Sequence, residues 1–137
     1  MTLLEYLNRN DRFASGSGML LTCITPGVGV AEMTVAEKHL NGAGVCQGGA
    51  LFTLADLAVA AAMNSGGCVT VGIENVITYH HSASEGQHLT ATANLGFNHR
   101  RIPSCNVRIV NDEGMLIASG TALGYRKEGS FDFDGLM

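Results

Sequence analysis

The sequence predicts an α+β fold in which a curved antiparallel sheet wraps around one long central helix. The run from Ala50 to Met63 is apolar except at Thr53 and Asp56. At 3.6 residues per turn such a run has no polar face, so we expect a helix that is buried on nearly all sides. Two strand patterns precede this helix and four follow it. A sheet curved around the helix is the economical way to cover it.

Each element has its own local signal. Residues 1–14 predict a short amphipathic helix, and residues 15–18, which are Ser and Gly only, predict a flexible joint. The Gly-rich segment 64–67 stops the central helix, which is expected from about 48 to 64. The polar, acidic segment 128–137 is expected to be a flexible tail. Strands are expected over 19–25, 28–35, 69–79, 89–97, 104–110 and 115–125.

Length and charge restrict the class of protein. The chain has 137 residues, which is enough for one domain with a real core, and its formal net charge is −4. No basic run is longer than 99–101, so sequence-independent binding of nucleic acid is not expected. No uninterrupted apolar run is long enough for a membrane span, and no basic lead precedes the first apolar residues. These observations predict a single cytoplasmic domain that contacts neither membrane nor nucleic acid.

The cysteines give no sign of a disulfide framework or a metal site. The four are far apart and form no C-x-x-C pair. We therefore expect small buried side chains in a reducing compartment, and no metal. Cys46, beside a glycine-rich turn, is a weaker candidate nucleophile because no histidine stands next to it in the sequence.

Asp56 is the most informative residue of the chain. A lone carboxylate inside an apolar helix is costly unless it is paired, hydrogen-bonded or exposed to a cavity that a ligand fills. One interpretation is purely structural, with Asp56 bonded to a neighbouring loop or strand. The other is chemical, with Asp56 as the acid of an active site.

The glycine-rich segment 41–49 favours the chemical interpretation. Gly48 and Gly49 stand where the central helix begins, so their backbone N–H groups have no partner inside the helix. Tight packing alone would also explain this pair of glycines. Gln47 and Asp56 are nine residues apart, about two and a half helical turns. An acid in the helix together with N–H donors at its start is the layout of an acyl-transfer site.

The segment 39–56 resembles a known family. It reads H-L-N-G-A-G-V-C-Q-G-G-A-L-F-T-L-A-D. Hotdog-fold acyl-coenzyme A thioesterases of the phenylacetyl-CoA thioesterase type have roughly H-x-N-x-x-G-x-x-H-G-G-x-x-x-x-L-x-D here. Every element matches except the histidine before the two glycines. The strand that ends at residue 79 and the hairpin over 112–118 also fit, so the resemblance covers roughly residues 15–127.

The resemblance implies a role for each matching residue. Asp56 is the catalytic acid, which either activates a water or attacks the thioester carbonyl. The N–H of Gly48 or Gly49 polarises the thioester oxygen, and Asn41 positions the carbonyl or the water. The family places its site at a dimer interface, so the resemblance implies a homodimer or homotetramer with acyl-CoA as substrate and no cofactor.

Two departures from the family pattern stand out. Gln47 replaces the usual histidine; it cannot be protonated, but it can donate and accept hydrogen bonds, so we expect a structural or water-ordering role. Some relatives carry a hydroxyl residue near the acid, on the strand after the helix. The matching position here is Gly72, with Thr70 on the same face as a possible substitute.

The remaining candidates are basic. Arg100 and Arg101 stand where such enzymes often hold coenzyme A phosphates, and the alternative is an ordinary charged strand end.

The sequence as a whole predicts hydrolysis of an acyl-CoA or pantetheine thioester to a carboxylic acid and a free thiol. A non-catalytic acyl-CoA-binding or sensing protein is the alternative that Gln47 and Gly72 suggest. A hydratase or dehydratase ranks third, because such enzymes usually need a histidine beside the acid.

Overall fold

The predicted α+β fold is confirmed. The computed structural model describes residues 1–137, and its six strands form one curved antiparallel sheet around a single long helix, which is the hotdog fold. The helices are α1 (Leu3–Asn10), α2 (Arg12–Gly16) and α3 (Gly48–Asn64), with a 3₁₀ turn at Glu37–His39. The strands are β1 (Leu20–Thr25), β2 (Val28–Thr34), β3 (Cys68–Tyr79), β4 (His88–Phe97), β5 (Ser104–Val110) and β6 (Leu116–Ser130).

The sheet has the order β1-β2-β4-β5-β6-β3, and every neighbouring pair is antiparallel. The strand that directly follows the helix therefore lies at one edge, paired only with β6. Its register against β6 shifts between Gly72 and Glu74, where β3 contains one residue more than its partner. This is a β-bulge. Beyond it, side chains of β3 that a regular strand would point to one face of the sheet point to the other face.

Helix α3 is less completely buried than its sequence predicts. Its buried face packs on the concave side of the sheet and forms the centre of one apolar core. A stripe formed by Gly49, Phe52 and Asp56 remains exposed in the single chain, at the i, i+3, i+7 spacing of one helix face. Apolar composition all round the helix does not show which face the chain itself leaves uncovered.

The N-terminal segment forms two helices where the sequence predicts one. Asp11 ends α1 and begins α2, because its carboxylate accepts a hydrogen bond from the Ala14 N–H at 3.1 Å. An N-cap of this kind is the usual start of a new helix. The segment predicted to be a flexible joint is in part the last turn of α2, which ends at Gly16.

The C-terminal tail, which its composition predicts to be flexible, forms hydrogen bonds with the N-terminal helix in the structure. Strand β6 continues to Ser130, and the backbone carbonyls of Gly135 and Leu136 accept hydrogen bonds from the N–H groups of Leu3 and Leu4. Those N–H groups are in the first turn of α1 and have no partner within their own helix. The tail supplies the missing acceptors, a long-range pairing that local composition does not reveal.

Two further observations concern the environment of the chain. None of its helices is long and apolar enough to cross a bilayer. All four cysteines are free, and two of them, Cys46 and Cys105, are buried. Burial raises the pKa of both of these thiols, that of Cys105 to about 11, so neither is a ready nucleophile at neutral pH.

Candidate active site

The start of α3 presents one unoccupied backbone donor. Gln47 is the N-cap, and its side-chain oxygen accepts a hydrogen bond from the Gly49 N–H at 2.7 Å. The Gly48 N–H makes no hydrogen bond within the chain. Of the two glycines that the sequence offers as oxyanion donors, the geometry leaves only Gly48 free, and Gln47 has a structural capping role.

Tyr79, the last residue of β3, holds Gly48 in place. Its hydroxyl donates to the Gly48 carbonyl at 3.0 Å. A side chain at position 48 would meet the Tyr79 ring at 2.9–3.1 Å, so only glycine fits under the ring without a shift. The orientation of the free N–H therefore depends on a contact between α3 and the edge strand.

The loop before α3 is fixed by its own polar residues. The Asn41 side-chain oxygen accepts hydrogen bonds from the N–H groups of Ala43 (2.9 Å) and Val45 (3.2 Å), while its amide N–H₂ has no partner within the chain. His39 is buried, with ring nitrogens bonded to Ala36 N–H (2.9 Å) and to the Ser17 carbonyl (2.7 Å). His39 anchors the loop, and Asn41 keeps a free donor beside the helix start.

Asp56 lies on the exposed stripe of α3, but its carboxylate borders a crevice between α3 and β3. The crevice is nearly closed, with a volume of about 10 Å³, and Phe52 and Val76 are among its apolar walls. Asn75 Nδ2 donates to Asp56 Oδ1 at 2.7 Å. Burial raises the pKa of Asp56 above the usual aspartate value, the hydrogen bond from Asn75 lowers this pKa, and the charge of Asp11 raises it.

The acid and the free N–H are far apart within one chain. Gly48 and Asp56 are eight positions apart, which is about 12 Å along the helix axis. They also border different cavities: Gly48 and Asn41 line one of about 270 Å³, whereas Asp56 borders only the crevice. One thioester carbonyl cannot contact both groups of the same chain.

Thr70 and Gly72 do not lie beside Asp56, contrary to the expectation from sequence. Thr70 is buried near the other end of α3, where its backbone pairs with Asn64 and its hydroxyl accepts from Arg126 Nε at 3.2 Å. Gly72 pairs with Gly124 in the sheet. The reason is the course of β3, which runs back along α3: Thr70 lies at Asn64 near the end of the helix, whereas Asp56 meets Asn75 further along the strand.

Arg100 and Arg101 lie in the loop after β4, at the C-terminal end of α3. Arg101 is partly engaged, since its guanidinium donates to the Arg126 carbonyl at 3.2 Å and lies 3.5 Å from a Glu128 carboxylate oxygen. Arg100 is exposed and has no ion-pair partner in the chain. Arg126 bonds to Asn98 at 2.8 Å and lines a neighbouring cavity of about 420 Å³.

No group of three or more His, Cys, Asp or Glu side chains is arranged to hold a metal ion.

The fold agrees with the comparisons with known proteins. A family model described as "Thioesterase superfamily" matches residues 43–118, which is more than half of the chain and includes Asp56 and most of the glycine-rich segment. The chain therefore belongs to the thioesterase superfamily. The resemblance to hotdog-fold, phenylacetyl-CoA-type thioesterases is confirmed by both the sequence and the structural comparisons.

Individual relatives are similar over most of their length. A putative esterase of Archaeoglobus fulgidus is 36% identical over 130 residues, which cover 93% of this chain and 82% of that protein. The acyl-coenzyme A thioesterase PaaI of Escherichia coli K12 is 35% identical over 109 residues, which cover 80% and 78%. The solved structure of the E. coli PaaI protein from the phenylacetic acid degradation operon matches with a TM-score of 0.91 at 31% identity, covering 95% and 94%.

Sequence reasoning missed two residues of this region, Asn75 and Tyr79. Both are on β3, and both point to α3 because of the bulge. The available signal was a pair of polar residues, Glu74 and Asn75, and a terminal tyrosine in a strand rich in β-branched residues. Without knowledge of the bulge, that signal does not say which face of the strand they occupy.

Proposed function

We propose that this protein is an acyl-CoA thioesterase that hydrolyses a CoA or pantetheine thioester to a carboxylic acid and a free thiol. The observation that carries the proposal is the unoccupied Gly48 N–H at the start of α3, on the same helix as a carboxylate whose pKa is raised. A donor at a helix N-terminus stabilises the negative charge that develops on a carbonyl oxygen. The E. coli relative is named an acyl-coenzyme A thioesterase, which supports the choice of thioester.

Each residue has a defined chemical task in this proposal. The thioester oxygen accepts from the Gly48 N–H, and the free amide of Asn41 orients the carbonyl or the attacking water. Asp56 acts in its ionised form, either by accepting a proton from water or by attacking the carbonyl carbon itself. In both cases the C–S bond breaks, the sulfur leaves as the thiol, and one water is consumed.

The complete site requires two chains. Because about 12 Å separates Gly48 from Asp56 along one helix, the acid must come from a second copy whose α3 stripe faces the helix start of the first. The crevice beside Asp56 is too small for a substrate, so the thioester approaches from the exposed side of the helix. A homodimer, alone or within a tetramer, is the assembly that we propose.

The exposed edge of the sheet supports this assembly. Strand β3 has 12 residues and pairs with β6 on one side only. Several of its apolar side chains are exposed, including Ile73 and Val76 at 55% each, and Phe52 of α3 is exposed at 37%. A long apolar edge strand beside an exposed apolar helix stripe is the kind of surface that a second chain covers.

The basic residues complete the proposal for the substrate. Arg100 and Arg101 supply positive charge for the phosphates of CoA, with Arg100 the freer of the two. Replacing a residue that contacts only the phosphates should raise KM and leave kcat nearly unchanged, because such a contact is equally strong in the ground state and the transition state.

The test is release of free thiol from a panel of aryl, short, medium and long acyl-CoAs, with Asp56→Ala measured in parallel. We expect turnover on at least one acyl group and a fall in kcat of roughly 10²–10⁴ in the variant. Wild-type kcat in Asp56→Ala would contradict the mechanism. Saturable binding of CoA esters with no turnover would instead establish the sensing function that Gln47 and the absence of a hydroxyl at Gly72 suggest.

A further inference from the structure

We infer that Asn75 is a positioning residue that fixes the orientation of the Asp56 carboxylate for its reaction with the thioester. This inference depends on the proposed function, because it concerns the acid of that site. Asn75 acts through Asp56 and has no direct contact with substrate in the inference.

The hydrogen bonds of Asp56 are asymmetric. Oδ1 accepts from Asn75 Nδ2 at 2.7 Å, and no other side chain or backbone group of the chain donates to the carboxylate. The terminal torsion of an aspartate side chain is broad, so a free carboxylate samples many orientations. One short bond to Oδ1 removes this freedom and leaves Oδ2 available for water or for the carbonyl carbon.

The bulge in β3 is what directs Asn75 to this position. Gly72 pairs with Gly124, but Glu74 pairs with Leu123, so Ile73 is the inserted residue. With a regular register the even-numbered side chains, including Glu74, would face α3. The inserted residue reverses the alternation, so that the carboxylate of Glu74 is exposed and the amide of Asn75 faces Asp56. Bulges beside active sites commonly re-aim a side chain in this way.

The bond also affects the charge state that the reaction needs. Burial raises the pKa of Asp56, and the donor from Asn75 acts against this rise by favouring the ionised form. Asp11 is the charged group of this chain that acts on Asp56, and it raises the same pKa.

Two near-isosteric variants separate these roles. Asn75→Leu removes the donor, and Asn75→Asp replaces it with a second carboxylate. Asn94→Leu is the matched control, an exposed asparagine of β4 whose side chain makes no hydrogen bond in the chain. For each protein we would measure kcat and KM across pH by thiol release, and the titration of the Asp56 carboxyl carbon by NMR.

We expect both Asn75 variants to lose up to about 10²-fold in kcat with little change in KM, because misplacing a reacting group by about 1 Å has this effect. The acid limb of the rate profile and the NMR midpoint of Asp56 should move to higher pH, further in Asn75→Asp than in Asn75→Leu. An Asp56 midpoint and kcat in Asn75→Leu that equal those of Asn94→Leu would overturn the inference. The NMR titration does not need a substrate, so it shows whether Asn75 controls the Asp56 carboxylate even if the wild type hydrolyses no thioester, and it separates failure of this inference from failure of the proposed function.

Discussion

At the scale of single residues, the environment of Asp56 decides what it can do. A carboxylate that is fully solvated would have an ordinary pKa and little basicity, and one that is fully buried without partners would be protonated at neutral pH. Asp56 is intermediate: apolar walls raise its pKa, and one donated hydrogen bond from Asn75 limits the rise. A raised pKa makes the ionised carboxylate a stronger base.

The raised pKa of Asp56 predicts a pH-dependent effect on stability. A carboxyl group with a folded pKa above its unfolded value contributes stability that is present below about pH 3.9 and is lost as pH rises through the folded pKa. Asp56→Asn should therefore melt at a higher temperature than the wild type at pH 7, and this difference should vanish below about pH 3.9. Thermal unfolding monitored by circular dichroism at both pH values tests the prediction. Equal melting temperatures at pH 7 would show that the carboxylate is solvated in the folded protein.

At the scale of elements, the helix and the strands were largely predictable. Helix α3 has the bounds that its apolar run and its glycine-rich start and stop predict, because those signals are local. The period-two strands were also found within a few residues, apart from the longer end of β6. Features that depend on contacts between distant elements were not predictable, such as the docked tail and the face of β3 that meets α3.

The β3 bulge shows why the site was only partly predictable. The residues on the helix and its loop, Asp56, Gly48 and Asn41, follow from a motif in one continuous segment. The partner of Asp56 does not, because one inserted residue decides whether an odd-numbered or an even-numbered side chain faces the helix. The amino-acid sequence of β3 alone does not show that Ile73 is the inserted residue.

The contact between α3 and β3 at Gly48 gives a prediction for Gly48→Ala. The new methyl group would lie 2.9 Å from the Tyr79 ring, so the ring must move and its bond to the Gly48 carbonyl is disturbed. We expect a fall of roughly 10²-fold in kcat, because the shifted helix start displaces the oxyanion donor and the effect should approach that of losing one such donor.

Gly42→Ala is the control for this variant, because an added methyl group at position 42 meets no atom within 4 Å. It should retain wild-type kcat in the same thiol-release assay. The clash with Tyr79 should also lower the folding stability of Gly48→Ala. Adding Tyr79→Ala removes the clash, so the double variant should melt at a higher temperature than Gly48→Ala alone. Full activity of Gly48→Ala would remove Gly48 from the mechanism.

At the scale of the whole molecule, one chain carries both halves of the proposed site but cannot bring them together. The helix start with Asn41 and Gly48 opens to one cavity, and Asp56 borders another. The exposed stripe of α3 and the unpaired edge of β3 lie where a second copy would join them. In the proposed homodimer, the same surface features would complete the site and form the interface between the two chains.

The most direct test of this account is complementation between two inactive variants, Asp56→Asn and Gly48→Ala, co-expressed with different tags. If each site takes its acid from one chain and its N–H donor from the other, every mixed dimer has one intact site and one site with both changes. Random assortment should then restore about a quarter of wild-type thiol release, because about half of the dimers are mixed and half of their sites are intact. Mixed dimers, verified by their two tags, that show no more activity than the average of the two variants would contradict a site shared between chains.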